Sequence, residues 1–289
     1  MHTIVEMSKL MKNKLLNIKG KLWSLEKPAV MGILNVTPDS FYAASRQTNE
    51  TAVTARIESI ISEGGALIDI GGYSTRPDAP EVTPEEEWNR LEPGLKILMK
   101  KFPDVPVSID TFRAVIARRA VEDYGVAMVN DISGGAKDDQ MFETVAKIQV
   151  PYILTHFRET SQSARTPSQN DPHHEEVPLF FAEKLRTLRL AGVNDVLLDP
   201  GFGFGKNLDE NYELLRSLPD FARLFTCPMV VGISRKRMIY NLLKCSAEES
   251  LNGTTVLHTF ALLHGTDILR VHDVKAAVEA IILVNKIKC

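Results

Sequence analysis

Charged and amide side chains recur in this chain directly after short apolar runs. The residues at these positions are Asn35, Asp69, Asp110, Asn130, Asp131, His156, Asp199, Lys236, Arg270 and His272. Carboxylate, amide and ammonium groups together offer alternating acceptors and donors, which suits the edge of a flat heterocycle such as a pterin or a purine. The members of this mixed set are Asp110, Asn130, Asp199 and Lys236.

A second group of these side chains is cationic. Arg270 and His272 follow the last apolar run, and Arg237 is a further candidate after the preceding run. Cations suit a phosphate or diphosphate, because a guanidinium can pair with two oxygens at once. The residues therefore predict a site with two parts, one for a heterocycle and one for phosphate groups.

The glycine-rich segment 201–206 matches neither common phosphate-binding pattern. Pro200 and Asn207 stand where a P-loop requires Gly and Ser or Thr. The segment also lacks the third glycine of the dinucleotide fingerprint. We expect a tight turn there, with the Phe204 side chain forming an apolar wall of the site.

Two further groups of residues give no sign of a metal site. His173 and His174 lie in the polar stretch 160–176, which we expect to be a loop, and their spacing is not that of a zinc site. The cysteines Cys227, Cys245 and Cys289 share no CxxC-type spacing. We expect free thiols in a reducing cytosol.

Eight short apolar runs alternate with amphipathic stretches along the chain. The runs are residues 29–34, 66–70, 105–109, 126–129, 151–154, 196–198, 229–233 and 268–271. Runs this short and apolar suit parallel strands buried on both faces. Eight strands alternating with helices predict an α/β protein, a (β/α)8 TIM barrel, whose site lies at the C-terminal ends of the strands. A doubly wound open sheet is the alternative, but the glycine fingerprint expected of a nucleotide-binding sheet is missing after the first strand.

Several local signals place the helices and the N-terminal segment. Thr83 followed by Pro84 and two glutamates reads as a helix start. An apolar stripe of helical spacing comprises Val274, Ala277, Val278, Ile281 and Ile282. Residues 1–28 are expected to form a leader and a short hairpin that caps the N-terminal face of a barrel spanning residues 29–289.

Composition excludes several classes of protein. The 289 residues carry 34 Lys and Arg against 37 Asp and Glu, for a formal net charge of −3. A generally basic nucleic-acid binder is therefore not expected. A hydrophobic fraction of 44% is enough to build a core, and no apolar run is long enough to span a membrane. We expect a cytoplasmic protein without nucleic-acid or membrane partners.

Seven segments in chain order resemble the dihydropteroate synthase family of folate biosynthesis, the target of sulfonamides. They are residues 31–41, 69–72 with 74–77, 108–111, 129–135, 198–206, 232–237 and 270–274. The resemblance implies a (β/α)8 barrel, a homodimer and a Mg²⁺ cofactor. It also implies a transferase that joins 4-aminobenzoate to 6-hydroxymethyl-7,8-dihydropterin diphosphate, releasing diphosphate and 7,8-dihydropteroate.

The resemblance also implies roles for individual residues. Asp110, Lys236 and Arg270 would be catalytic, and the pterin would be held by Asp110, Asn130, Asp199, Lys236 and Arg270. The diphosphate would be held by Asn35, Thr75, Arg270 and His272, with Asn35 also a ligand of the metal. The 4-aminobenzoate pocket would be lined by Phe41, Thr75, Arg76, Pro77, Phe204 and Ser234.

The chain departs from the family pattern in three places. Ala43 stands where an acid is usual in the first loop, and Tyr73 and Asp78 replace Glu and Gly in the second. After the fifth strand, Thr155-His156-Phe157 replaces Met-His-Met. Two alternatives follow: a pterin-binding relative that has lost turnover, or a barrel that passes a methyl group from a folate to a corrinoid.

Overall fold

Eight short parallel strands form a barrel in the computed structural model, which describes residues 14–37, 46–73, 81–158 and 173–288. The barrel strands are β3 (Ala29–Asn35), β4 (Leu67–Gly71), β5 (Val107–Asp110), β6 (Met128–Asp131), β7 (Tyr152–Thr155), β8 (Val196–Asp199), β9 (Val230–Val231) and β10 (Ile268–Val271). Their order in the sheet is β8-β7-β6-β5-β4-β3-β10-β9. A single parallel bridge between Leu198 and Met229 joins the two edges, which closes the barrel and confirms the predicted fold.

Helices follow the strands on the outside of the barrel. They are α1 (Arg46–Ser62), α2 (Pro84–Lys101), α3 (Ala114–Tyr124), α4 (Met141–Ile148), α5 (His173–Leu190), α6 (Leu208–Arg216), α7 (Leu218–Leu224), α8 (Arg237–Leu243), α9 (Leu251–Leu263) and α10 (Val274–Lys288). A 3-10 turn, Glu248–Ser250, precedes α9. Among the described helices, none combines the length and the apolar character that crossing a bilayer requires.

An N-terminal hairpin covers the bottom of the barrel. Strands β1 (Leu15–Ile18) and β2 (Lys21–Ser24) pair antiparallel around a Lys19-Gly20 turn. Leu16, Ile18 and Leu25 are buried against inward-facing barrel side chains such as Met31 and Ile153. Burial of these apolar groups fixes the hairpin on the N-terminal face, as the sequence predicted.

Local sequence signals account for where α2 begins. Thr83 accepts a hydrogen bond from the Glu86 N–H, and the Glu86 side chain accepts one from the Thr83 N–H. This reciprocal pair is a capping box, and Pro84 occupies the first turn without needing a donor. The helix start predicted at Thr83 is therefore confirmed.

Three features differ from the predictions. Strand β9 spans only Val230–Val231 because its ladder with β10 covers two residue pairs. Helix α5 already begins at His173, within the stretch 160–176 predicted as a loop, and residues 159–172 lie outside the described part of the chain. Ile282 is 62% exposed rather than part of the buried stripe of α10, because it lies at the outer edge of that stripe.

The cysteines agree with the predicted free thiols where they are described. Cys227 is a buried free thiol and Cys245 is a partly exposed one. Cys289 lies outside the described residues, as do the leader residues 1–13.

Candidate active site

The inward-facing side chains of the barrel change from apolar to polar along the strands. Near the hairpin the interior is filled by apolar residues of β3, β4 and β6 to β10, including Met31, Leu67 and Leu197. Two residues further towards the C-terminal end of each strand, the same inner surface carries Asp69, Asn130, Asp199 and Arg270. Because side chains alternate along a strand, the polar layer lies at the C-terminal mouth, where barrel enzymes hold their sites.

A buried ionic network crosses this layer. Arg270 Nε donates to Asp69 Oδ2 at 2.6 Å, and its Nη2 donates to Asp110 Oδ2 at 2.5 Å. The Asn130 amide donates to the same Asp69 oxygen at 2.9 Å. Asp69 therefore joins Asn130 to Arg270, and Arg270 joins this pair to Asp110. A guanidinium has five N–H donors, so these two bonds do not saturate Arg270.

Asp69 was not among the predicted site residues. Its side chain is fully buried, and its second oxygen, Oδ1, has no hydrogen-bond partner within the described protein. The signal for it was in the sequence, because Asp69 ends its apolar run in the same way that Asp110 ends the next. A strand-end aspartate on a neighbouring strand is the pattern that should have included it.

Asp199 and Lys236 complete the heterocycle part of the site. Asp199 Oδ1 accepts a hydrogen bond from the Gly201 N–H at 2.8 Å, which fixes the carboxylate at the start of the glycine-rich turn. Lys236 donates to the Phe202 carbonyl, and its ammonium lies 4.7 Å from the centre of the Phe204 ring. The two side chains attract each other electrostatically across the mouth of the barrel.

Burial shifts the protonation of these groups. Removal from water raises the pKa of Asp110 to about 7, with the neighbouring Asp69 adding to the rise and Arg270 opposing it. Burial also raises the pKa of Asp199 and lowers that of Lys236 to about 8. Strongly shifted groups collected at one mouth are typical of functional sites.

The predicted diphosphate residues lie on the first and last barrel strands. Asn35 is the last residue of β3 and is half-buried. His272 follows β10, and its side chain is exposed at the rim. The His272 N–H donates to Ser234 Oγ at 3.2 Å. Desolvation by the surrounding protein, together with the charge of Arg270, lowers the pKa of His272, so the ring is neutral near pH 7. Thr75 lies outside the described residues.

The arginines after β9 have different environments. Arg237 is exposed at the start of α8. Arg235 adopts a left-handed backbone, with φ of 53°, and pairs bidentately with Asp273, both distances being 2.8 Å. It also donates to the carbonyls of Ala247 and Glu248. Arg235 therefore joins the segments that carry Asp273, Ala247 and Glu248.

Part of the predicted 4-aminobenzoate pocket is described. The Phe204 ring lies 6.2 Å from that of Phe157, beside the Lys236 ammonium. Ser234 is buried two residues before Lys236, and its hydroxyl oxygen accepts a hydrogen bond from the His272 backbone N–H. Phe41, Thr75, Arg76 and Pro77 are outside the described residues, as are the departures Ala43 and Asp78.

Lys206, a half-buried lysine with no predicted role, organises the glycine-rich turn. Lys206 donates to the carbonyls of Gly201 at 2.8 Å, Phe204 at 3.2 Å and His156 at 3.3 Å. Burial lowers its pKa to about 7. Gly201 has φ of 74°, and a Cβ there would lie 1.9 Å from the His156 carbonyl oxygen, so only glycine fits. The turn carries Phe204 on a backbone fixed by these bonds.

Two of the departures from the family pattern lie near each other. The rings of Tyr73 and Phe112 meet edge to face at 5.1 Å. The Lys137 ammonium lies 4.8 Å from Phe112 and 5.2 Å from Phe157. Tyr73 and Phe157 are thus linked through Phe112 and Lys137 into one aromatic wall beside the site, so these two changes belong to the same surface.

The fold and this site together define a pterin-binding barrel enzyme. A family model described as pterin binding enzyme matches residues 31–272, most of the chain. The chain is 37% identical to dihydropteroate synthase of Escherichia coli (strain K12) over 269 residues, 92% of this chain and 94% of that protein.

Solved structures support the same assignment. A Xanthomonas albilineans dihydropteroate synthase with 4-aminobenzoic acid has a TM-score of 0.86 at 35% identity, covering 96% of this chain and 98% of that one. The Clostridium difficile enzyme in the presence of pteroic acid has a TM-score of 0.84 at 33% identity, covering 91% and 97%. The chain belongs to the dihydropteroate synthase family, and it is therefore a transferase of folate biosynthesis.

Proposed function

We propose that this chain condenses 6-hydroxymethyl-7,8-dihydropterin diphosphate with 4-aminobenzoate, giving 7,8-dihydropteroate and diphosphate, with the residues described above as its active site. The observation that carries this assignment is the position of Arg270. It bonds to Asp69 and Asp110 on the heterocycle side and lies two residues before His272 on the phosphate side. One side chain thus borders both parts of the site, where the bond to be broken would lie.

Recognition of the pterin would rest on side chains of the inner layer. Asp199 and Asp110 offer acceptors to ring N–H groups, and the Asn130 amide offers both a donor and an acceptor. Their burial makes each bond selective, because a ring lacking the matching group would leave a buried polar atom unpaired. Lys236 would donate to a ring acceptor while its charge offsets that of Asp199.

The reaction breaks a C–O bond and forms a C–N bond. The electron pair of the C–O bond leaves with diphosphate, and the methylene carbon becomes cationic in conjugation with the pterin. The charge of Arg270 and an N–H of the neutral His272 ring would stabilise the leaving group, and the Asp110 carboxylate would stabilise the cation. The amine lone pair of 4-aminobenzoate forms the new bond, and the nitrogen then loses a proton, which the released diphosphate can accept. Since the amine is a neutral nucleophile, placement against Phe204 contributes more than a base would.

Mg²⁺ fits the phosphate part by the chemistry of its donors. Asn35 offers an amide oxygen at the rim, and Mg²⁺ at phosphate sites commonly keeps only one or two protein ligands. Among the described residues, no group of three or more His, Cys, Asp or Glu side chains could hold an ion alone. A site shared between Asn35 and substrate oxygens matches this. When bound, the ion would add positive charge at the leaving group.

We also propose a cytoplasmic homodimer. The last helix, α10, exposes Ile282, Leu283 and Ile287 at 62%, 65% and 70%. The neighbouring helix α9 exposes Val256 at 58% and Leu263 at 43%. Apolar groups concentrated on two packed helices favour a second copy of this chain as their cover. Light scattering should give twice the chain mass, and Ile282→Asp should lower it towards one chain.

A two-substrate assay tests the proposed reaction. Diphosphate release should require the pterin diphosphate, 4-aminobenzoate and Mg²⁺ together, and chelation should abolish it. Pterin binding without release would indicate a relative that has lost turnover, and an Ala43→Asp variant then tests whether the missing loop acid is the cause. A spectral change on mixing with a methylated corrinoid would indicate the methyl-transfer alternative instead.

A further inference from the structure

The hydrogen-bond ladder between the first and last barrel strands ends just below the phosphate part of the site. The final pair in register is Val271 with Gly32. Beyond it, one side chain binds the next carbonyl of each strand. Arg56 of α1 donates to the Ile33 carbonyl from Nε at 3.4 Å and Nη2 at 3.3 Å, and to the His272 carbonyl from Nη2 at 2.7 Å. The guanidinium therefore joins the two strands where their own pairing stops.

These two strands carry the groups assigned to the diphosphate and the metal. Asn35 lies two residues beyond Ile33, and His272 is itself the residue whose carbonyl is bound. The His272 backbone is held at both its polar groups, because its N–H is bound by Ser234 Oγ and its carbonyl by Arg56. These two bonds fix the backbone from which the imidazole projects.

We infer that Arg56 is a positioning residue for the diphosphate part of the site, an inference that rests on the proposed function. Arg56 fixes His272 relative to Asn35 by clamping the carbonyls of both strands. It does not need to touch the substrate for this role. Removal of a group that orients a binding residue without touching the ligand typically changes affinity by about 10–100-fold.

The shape of the guanidinium is needed for the clamp. Its planar fork presents donors to two carbonyls at once, whereas a lysine presents a single ammonium on a flexible stem. Arg56→Lys should therefore restore part of the function that Arg56→Met loses. Both replacements suit a helix interior, so α1 should persist in either variant.

The experiment compares ligands with and without the diphosphate. In Arg56→Met, KM for the pterin diphosphate should rise by about tenfold, and the Kd of 6-hydroxymethyl-7,8-dihydropterin should stay within about twofold. Arg56→Lys should give an intermediate KM. The control is Arg186→Met, which removes an exposed arginine on α5 far from these carbonyls and should change neither constant.

Two results would overturn the inference. One is an unchanged KM for the pterin diphosphate in Arg56→Met. The other is equal weakening of both ligands together with a lower midpoint of urea unfolding, which would indicate a role in folding alone. If wild-type protein releases no diphosphate, the proposed function fails instead. The wild-type assay therefore separates the two failures.

Discussion

The pterin half and the diphosphate half of the site are organised in different ways. In the pterin half, side chains on neighbouring barrel strands bond to one another inside the barrel, as Asp69, Asn130 and Arg270 do. In the diphosphate half, Arg56 and Ser234 hold the backbone, and the His272 ring is exposed. The difference suits the ligands. A flat ring is recognised by a preformed buried edge, and a highly hydrated diphosphate needs hydrogen-bond donors and positive charge at an open rim.

Arg270 belongs to both halves of the site, so its replacement should have the largest effect. Its side chain is 19% exposed, and its partners Asp69 and Asp110 are 0% and 15% exposed. Arg270→Ala should lower the free energy of unfolding by about 3–5 kcal/mol, since two buried carboxylates lose their cation. Urea denaturation measures this, with Arg270→Lys as a control of intermediate effect. A loss below about 1 kcal/mol would mean that the network does not form.

Asp199 tests the pterin half alone. Asp199→Ala should weaken binding of the pterin and of the pterin diphosphate equally, by about 1–3 kcal/mol, because ring N–H donors lose their acceptor. Calorimetric titration of both ligands gives the two losses. Asp209→Ala, an exposed aspartate at the start of α6, serves as the control and should change neither affinity. Full affinity in Asp199→Ala would place the ring elsewhere.

The pH dependence of kcat/KM for the pterin diphosphate should be bell-shaped. Asp110 becomes the required anion as pH rises through its pKa of about 7, and Lys236 loses its charge above about 8. The raised pKa also makes stability depend on pH, because Asp110 binds its proton more tightly in the folded than in the unfolded chain. Its contribution to the free energy of unfolding is complete below pH 3.8 and is lost as pH rises through 7. In Lys236→Arg the alkaline limb should move beyond pH 9. A flat wild-type profile from pH 6 to 9 would contradict both assignments.

The smallest effect is expected at Lys206, which holds the glycine-rich turn that carries Phe204. Lys206→Met removes three bonds to carbonyls, but the cost of burying the ammonium disappears with them. We expect a loss of about 1 kcal/mol in unfolding free energy and about a twofold rise in KM for 4-aminobenzoate, through Phe204. An unchanged pterin affinity is the internal control. A larger effect on pterin than on 4-aminobenzoate would mean that the turn positions Asp199 rather than Phe204.

Sequence pattern predicted the barrel and most of the site because each barrel strand is a short apolar run with a polar residue at its end. This periodicity placed Asp110, Asn130, Asp199 and Arg270 at one mouth. Asp69 was missed as a site residue, although its position at the end of an apolar run follows the same pattern. Arg56 could not be found, because it lies on a helix and acts on carbonyl groups that carry no sequence signal.

Binding of the pterin with and without its diphosphate tests the division of the site most directly. His272→Ala should weaken binding of the pterin diphosphate by about tenfold, or ~1.4 kcal/mol, and leave the affinity for free 6-hydroxymethyl-7,8-dihydropterin unchanged. Asp199→Ala, measured beside it, should weaken both ligands to the same degree. Equal losses for the two ligands in His272→Ala, or a loss confined to the diphosphate ligand in Asp199→Ala, would contradict the separation of the two halves.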